Sequence, residues 1–70
     1  MPPTGITNHI RQLRFAKGEM TQQQLADAVG ATRQTILAIE AGKYAPSLEL
    51  AFRIARIFDL GVDDVFDYGP

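Results

Sequence analysis

Few side chains in this sequence could make or break bonds, and none stands in a pattern that would do so. There is no cysteine, and the one histidine, His9, has no suitably spaced carboxylates with which to hold a metal. No nucleophile is paired with a base, and no glycine-rich loop is set to cradle phosphates. A chain of 70 residues also has little room for a substrate pocket. These coinciding absences argue against an enzyme, a cofactor, a metal site and a small-molecule ligand. The polar side chains that remain, Arg33 and Gln34 among them, can only make hydrogen bonds and carry charge. Taken alone, Arg33 and Gln34 are ordinary solvated residues. What they can do depends on the elements that hold them.

Those elements are well punctuated. A first helix is expected to start after Thr7 and run to about Lys17, with Gly18 as its left-handed stop and Ile6, Ile10 and Leu13 on one stripe. Thr21 and Gln24 have capping-box spacing, with Met20 and Leu25 as the hydrophobic staple. The second helix they begin buries Leu25, Ala26 and Val29 and ends at Gly30. At about two turns it is too short to be stable alone. Thr32 caps a third helix, from Arg33 to about Ala41, stopped by Gly42. Ile36, Ile39 and Glu40 face inward there, while Arg33, Gln34, Leu37, Ala38 and Ala41 face out. Pro46 disfavours helix at Ala45, and Ser47 caps a fourth helix from Leu48 to about Phe58. That helix is apolar around most of its circumference, so it is either central or shared with a partner. A short fifth helix is expected over Val62 to Phe66. The tail, Asp67-Tyr68-Gly69-Pro70, reads equally as a strand or as coil.

The whole chain, residues 1–70, reads as one domain, and a core this small needs help from disulfides, a metal or a second chain. With no cysteine, a second copy is the natural remedy. Phe15, Leu60, Val62, Val65, Phe66 and Tyr68 exceed what so short a chain can enclose. The C-terminal group, Leu60, Val62, Val65, Phe66 and Tyr68, is the expected dimer seam. No apolar run approaches the roughly 18 residues that span a bilayer, and Met1-Pro2-Pro3-Thr4-Gly5 does not resemble a signal peptide. A cytoplasmic protein is the simplest reading.

The charges are segregated. All seven cations precede residue 59 against four acids, whereas Asp59, Asp63, Asp64 and Asp67 bring the total to −1. A basic body can face phosphates even at this net charge.

The informative unit is TQQQLADAVGATRQTILAIEAGK, about residues 21–41 with the two that follow. Two short helices meet at a tight Val29-Gly30-Ala31 turn, with small Ala26 where the backbones approach. This is helix-turn-helix geometry, in which the second helix projects far enough to enter a major groove. The longer run, through YAPSLELAFRIARIF, resembles the Cro/CI-type, or XRE, family of helix-turn-helix regulators, and most of all its small standalone members. The shared pattern is T-Q-x-x-L-A, then V-G, then T/S-R-Q-T-I, then I-E-x-G-K-Y-x-P-S-L, spanning about Arg11 to Phe66.

The resemblance implies an all-α, five-helix, lambda-repressor-like fold, with a short β-ribbon between the chain ends in the closest small regulators. It further implies a sequence-specific transcriptional regulator that acts as a homodimer on palindromic double-stranded DNA, and a repressor in particular. Gln22 would contact a phosphate, and Thr32 and Thr35 would contact phosphate or groove. Arg33 and Gln34 would read base edges, since arginine suits guanine and glutamine suits adenine in bidentate pairs. Lys43 and Tyr44 would clamp the backbone, and Arg14 and Glu40 would form a structural ion pair.

Leu37 and Ala41 depart from relatives that are polar at these positions, leaving Leu37, beside Ala38, to meet a thymine methyl. The first loop, at Glu19-Met20, is one residue longer than in several relatives. The same fold also serves antitoxins and controllers of restriction-modification operons. From another class, a protein-interaction module would use Leu37 and the apolar C-terminus.

Overall fold

The computed structural model describes residues 4–69. Met1, Pro2 and Pro3 of the amino-terminal stretch, and Pro70 of the tail, lie outside the described residues. In chain order the elements are β1 (Ile6–Asn8), α1 (Ile10–Ala16), α2 (Gln22–Val29), α3 (Arg33–Glu40), α4 (Leu48–Ile57), α5 (Val62–Val65) and β2 (Phe66–Tyr68). The two strands pair antiparallel, Ile6 with Tyr68, Thr7 with Asp67 and Asn8 with Phe66.

The longest of the five helices has ten residues, below the roughly 12–15 at which an isolated helix becomes even marginally stable. Packing must hold them. Ile10, Leu25, Ala26, Val29, Ile36, Ile39, Ile54, Ala55 and Val65 form one buried cluster, to which every helix contributes. Each large side chain removed from water in this way contributes about 1.5–3 kcal/mol. The third residue of the second-helix triplet, Val29, is 3% exposed, and its partners Leu25 and Ala26 are fully enclosed. Among the described residues no helix is long and apolar enough to cross a membrane.

The first helix starts later than its residue pattern predicts. Thr7 lies in β1, and Ile6 belongs to the strand rather than to a helical stripe. The cause is Asn8. Its Oδ1 accepts the Ile10 N–H at 3.1 Å, which starts the helix at Ile10. The backbone before it pairs with β2. At the other end of the chain, α5 stops at Val65 because Phe66 is extended (φ −120°, ψ 144°) and opens β2. The tail is therefore a strand through Tyr68, and the chain ends form a ribbon.

A two-stranded ribbon is marginal by itself, and this one is fastened to the third helix. The Thr4 N–H donates to the Gly42 carbonyl at 2.9 Å, and the Asn8 amide donates to the Ile39 carbonyl at 2.9 Å. The first bond reaches the loop just past α3, and the second adds a donor to a carbonyl in its last turn. A third bond runs from the His9 N–H to the Val65 carbonyl at 2.9 Å, and the exposed His9 ring meets Asp67 at 2.7 Å. The ribbon thus links the fifth helix to the end of α3.

Candidate nucleic-acid interface

The helix pair is set by its caps. Thr21 Oγ1 accepts the Gln24 N–H at 3.0 Å, and Gln24 Oε1 accepts the Thr21 N–H at 2.8 Å, so the expected capping box is complete. Gly30 takes φ +73°, a left-handed turn that costs glycine nothing. The Ala31 N–H then returns to the Ala26 carbonyl at 2.9 Å, across the point where α2 gives way to α3. Thr32 Oγ1 accepts the Thr35 N–H at 3.1 Å and lies 2.9 Å from the Thr35 hydroxyl. After α3 the N–H groups of Gly42 and Lys43 close back on the Ile39 and Ala38 carbonyls at 3.0 Å each. Both ends of this eight-residue helix are therefore fastened.

Its two faces differ completely. Ile36 and Ile39 are sealed in the core, whereas Arg33 and Gln34 are exposed on the first turn. Among the described residues neither Arg33 nor Gln34 makes a side-chain hydrogen bond or ion pair. Leu37 is 49% exposed, and Ala41 is also outward. Thr35 and Ala38 are half-buried, at the edge of this face rather than at its crest. Lys43 and Tyr44 follow on the exposed loop.

Beneath the helix pair lies the Arg14–Glu40 ion pair. Arg14 Nε meets Glu40 Oε2 at 2.7 Å, and its Nη2 meets Oε1 at 3.0 Å, a two-pronged contact between side chains 8% and 11% exposed. The remaining guanidinium nitrogen donates to the Met20 carbonyl at 2.8 Å. Arg14 thereby holds α1, the first loop and α3 together. The Gln22 amide donates to the same Glu40 carboxylate, at 3.4 Å, and Gln22 is half-buried. Its side chain is thus engaged inside the chain as well as near the surface, a contact its neighbours in sequence do not announce.

Between α1 and α3 runs an open groove of about 790 Å³, with Arg11, Phe15, Gln22, Arg33 and Leu37 among its walls. A second concavity, about 890 Å³, lies between α4 and the ribbon, walled by Ile6, Leu48, Phe52, Val62, Phe66 and Tyr68. Tyr68 is 85% exposed, Leu48 71%, Phe52 50% and Leu60 37%. Val62 and Phe66 are half-buried, packed on the core.

Val65 corrects the expected seam. It is fully enclosed by its own chain, because it lies on the inner side of α5 and belongs to the core cluster. It cannot be part of any surface. Leu48 and Phe52, one turn apart on α4, were not in the expected seam, although the nearly all-apolar circumference of that helix was the signal for them. Among the described residues no group of three His, Cys, Asp or Glu side chains is placed to hold a metal.

Comparison with known proteins agrees with this geometry. Residues 10–65 match the helix-turn-helix family model. An uncharacterised HTH-type transcriptional regulator of Methanocaldococcus jannaschii is 55% identical over 63 residues, covering 90% of this chain and 94% of the relative. One from Bacillus subtilis is 46% identical over 61 residues, covering 87% and 91%. In fold, the chain is similar to the crystal structure of a candidate DNA-binding protein from Bacteroides fragilis, with a TM-score of 0.74 at 22% identity, covering 89% of this chain and 98% of that one. The chain belongs to the XRE-type helix-turn-helix family, whose named relatives are transcriptional regulators and not enzymes.

Proposed function

We propose that this protein is a sequence-specific DNA-binding transcriptional regulator, a repressor that acts by occupying a promoter as a symmetric dimer. One observation carries the reading. The two residues with forked hydrogen-bonding ends, Arg33 and Gln34, stand exposed and without side-chain partners among the described residues, on a helix whose opposite side is locked into the core. A helix held this way presents pre-oriented side chains to a major groove, which admits one helix. Arg33 and Gln34 read base edges, and Leu37, with Ala38 beside it, packs on a thymine methyl. Thr32, Thr35, Lys43 and Tyr44 flank that face and position the backbone. Gln22 reaches a phosphate from the start of α2 while tied to Glu40.

The exposed apolar face of Leu48, Phe52 and Tyr68, with half-buried Phe66 beside them, supports a second copy as its cover. Two recognition helices related by a dyad would meet half-sites roughly 34 Å apart, hence a palindromic operator.

The test begins with selection of duplexes from a random pool, followed by titration of the winner and of a scrambled duplex at two salt concentrations. The expected result is a palindrome bound at least about 10³-fold more tightly than random sequence, with a steep salt slope. Equal affinity for both duplexes overturns the reading. The dimer is tested separately with Phe52→Glu, which sets a new charge beside Asp63 and Asp67 in the same concavity. Sedimentation should give a folded monomer with weakened operator binding. A variant that stays dimeric rejects this face as the seam.

A further inference from the structure

We infer that Arg11, steadied by the ring of Phe15, grips the phosphate backbone of duplex DNA beside the recognition helix; the inference rests on the DNA-binding reading above.

Phe15 is the starting point, because a half-exposed phenylalanine on a polar helix face needs a reason. It is 52% exposed, yet it does not face the apolar concavity at the ribbon. Instead it stands in the open groove with Arg33 and Leu37. Two guanidinium groups approach its ring, Arg11 and Arg14, each with its central carbon 5.6 Å from the ring centre. Arg14 is already neutralised by Glu40. Arg11 is exposed, and among the described residues it has no acid within ion-pair distance, so its charge is held by an aromatic face and otherwise open. The attraction between a guanidinium and the negative face of a ring restricts a long side chain without cancelling its charge. That combination suits an anion-binding arm.

The ligand follows from the surroundings. Arg11 shares its groove with Gln22, Arg33 and Leu37, so a duplex entered by α3 passes over it. Arg11 lies one turn before Arg14 on α1, and Arg14 ties α1 to α3, so Arg11 keeps a fixed position relative to Arg33. Phosphates are the anions a duplex presents there, and they carry no sequence information. One acid opposes the contact: Glu19, on the same groove, is unpaired among the described residues and would repel a phosphate.

The test uses the full chain, the selected palindrome and a scrambled duplex. Arg11→Ala should weaken both duplexes alike, by about three- to tenfold, and lower the log–log salt slope by about 1 per site. Phe15→Leu should weaken binding by about two- to fivefold, an effect that vanishes when Arg11 is already alanine. Glu19→Gln should tighten both duplexes. Unchanged affinity and slope in Arg11→Ala, with the parent chain still discriminating the palindrome, overturns this inference alone. A Phe15→Leu loss that persists in the Arg11→Ala background makes the ring structural and overturns its positioning role. If the parent chain binds neither duplex, this inference and the DNA-binding reading fall together.

Discussion

The helices α2 and α3 are the same length, each is capped by a threonine and each is followed by a left-handed glycine, yet they handle their polar side chains in opposite ways. In α2 nearly every polar group is occupied within the chain. Gln24 completes the cap, Gln23 donates to Asp27 at 2.9 Å, and Gln22 reaches Glu40. In α3 the first two side chains, Arg33 and Gln34, have no such partner among the described residues. Both helices bury comparable apolar faces, so the difference is not one of packing. A helix whose polar groups are satisfied is a support. One whose groups are left open, on a backbone fixed at both ends, is the reading head of the proposed function.

The largest effect should come from cutting the link between support and reader. Glu40→Ala leaves the Arg14 charge buried with only the Met20 carbonyl as a polar partner, a change that typically costs about 3–5 kcal/mol. Small domains are stable by only about 5–15 kcal/mol in total, so urea unfolding should show the midpoint collapse. Replacing both partners, Arg14→Met with Glu40→Leu, should recover most of the loss. Recovery of stability without recovery of DNA affinity would sharpen the distinction, since it would assign the pair a part in aligning the two helices. A single variant as stable as the parent would break it.

The second test runs the other way. Arg33→Ala and Gln34→Ala remove exposed groups without internal partners, so each should leave stability within about 0.5 kcal/mol. Each should nevertheless cost about 1–3 kcal/mol of discrimination between the selected palindrome and a version altered at the contacted base pair. The check is a pair of titrations on matched and altered duplexes. Matched losses of stability would mean that α3 is another support, and the comparison between the helices would fail.

Much of this was legible in the amino-acid order because the signals are local. The Thr21–Gln24 box, the caps at Thr32 and Ser47 and the left-handed stops at Gly18, Gly30 and Gly42 each need only a few neighbouring residues, and all are present. The alternation of buried and outward positions on α3 follows from helical period. What escaped depends on partners distant in sequence. Strand β1 exists because Phe66–Tyr68 lies beside it; Asn8 is a local signal for where the helix starts, but nothing in Ile6-Thr7 alone calls for a strand. Val65 and Tyr68 are three residues apart and equally plausible at a seam, but one is sealed and the other is almost bare. Only the placement of α5 against the core separates them. The same holds for Leu48 and Phe52, and for the Gln22–Glu40 contact. As for the site, the residue pattern located the outward face of α3, and i, i+4 spacing on α1 is enough to bring Arg11 to Phe15, whereas the place of that pair in the groove beside Arg33 depends on the fold.

The smallest effect is the most discriminating, because it makes one change in both helices. Thr21→Ala and Thr32→Ala each remove a side-chain oxygen that accepts a backbone N–H at a helix start, at 3.0 and 3.1 Å respectively. Loss of such a cap costs about 1 kcal/mol, so thermal unfolding should show two nearly equal decrements. Their effects on DNA should differ. Thr21 caps the helix whose polar groups are paired within the chain, so its variant should bind the palindrome as the parent does once the folded fraction is accounted for. Thr32 stands at the head of the reading helix, beside Arg33, and fixes the Thr35 hydroxyl at 2.9 Å. Its variant should lose affinity beyond the stability decrement, for specific and scrambled duplexes alike, as expected of a backbone contact. If both variants lose affinity equally, the caps matter only for folding and Thr32 touches no DNA. If only Thr32→Ala does, the boundary between support and reader lies at the turn, within the three residues from Gly30 to Thr32.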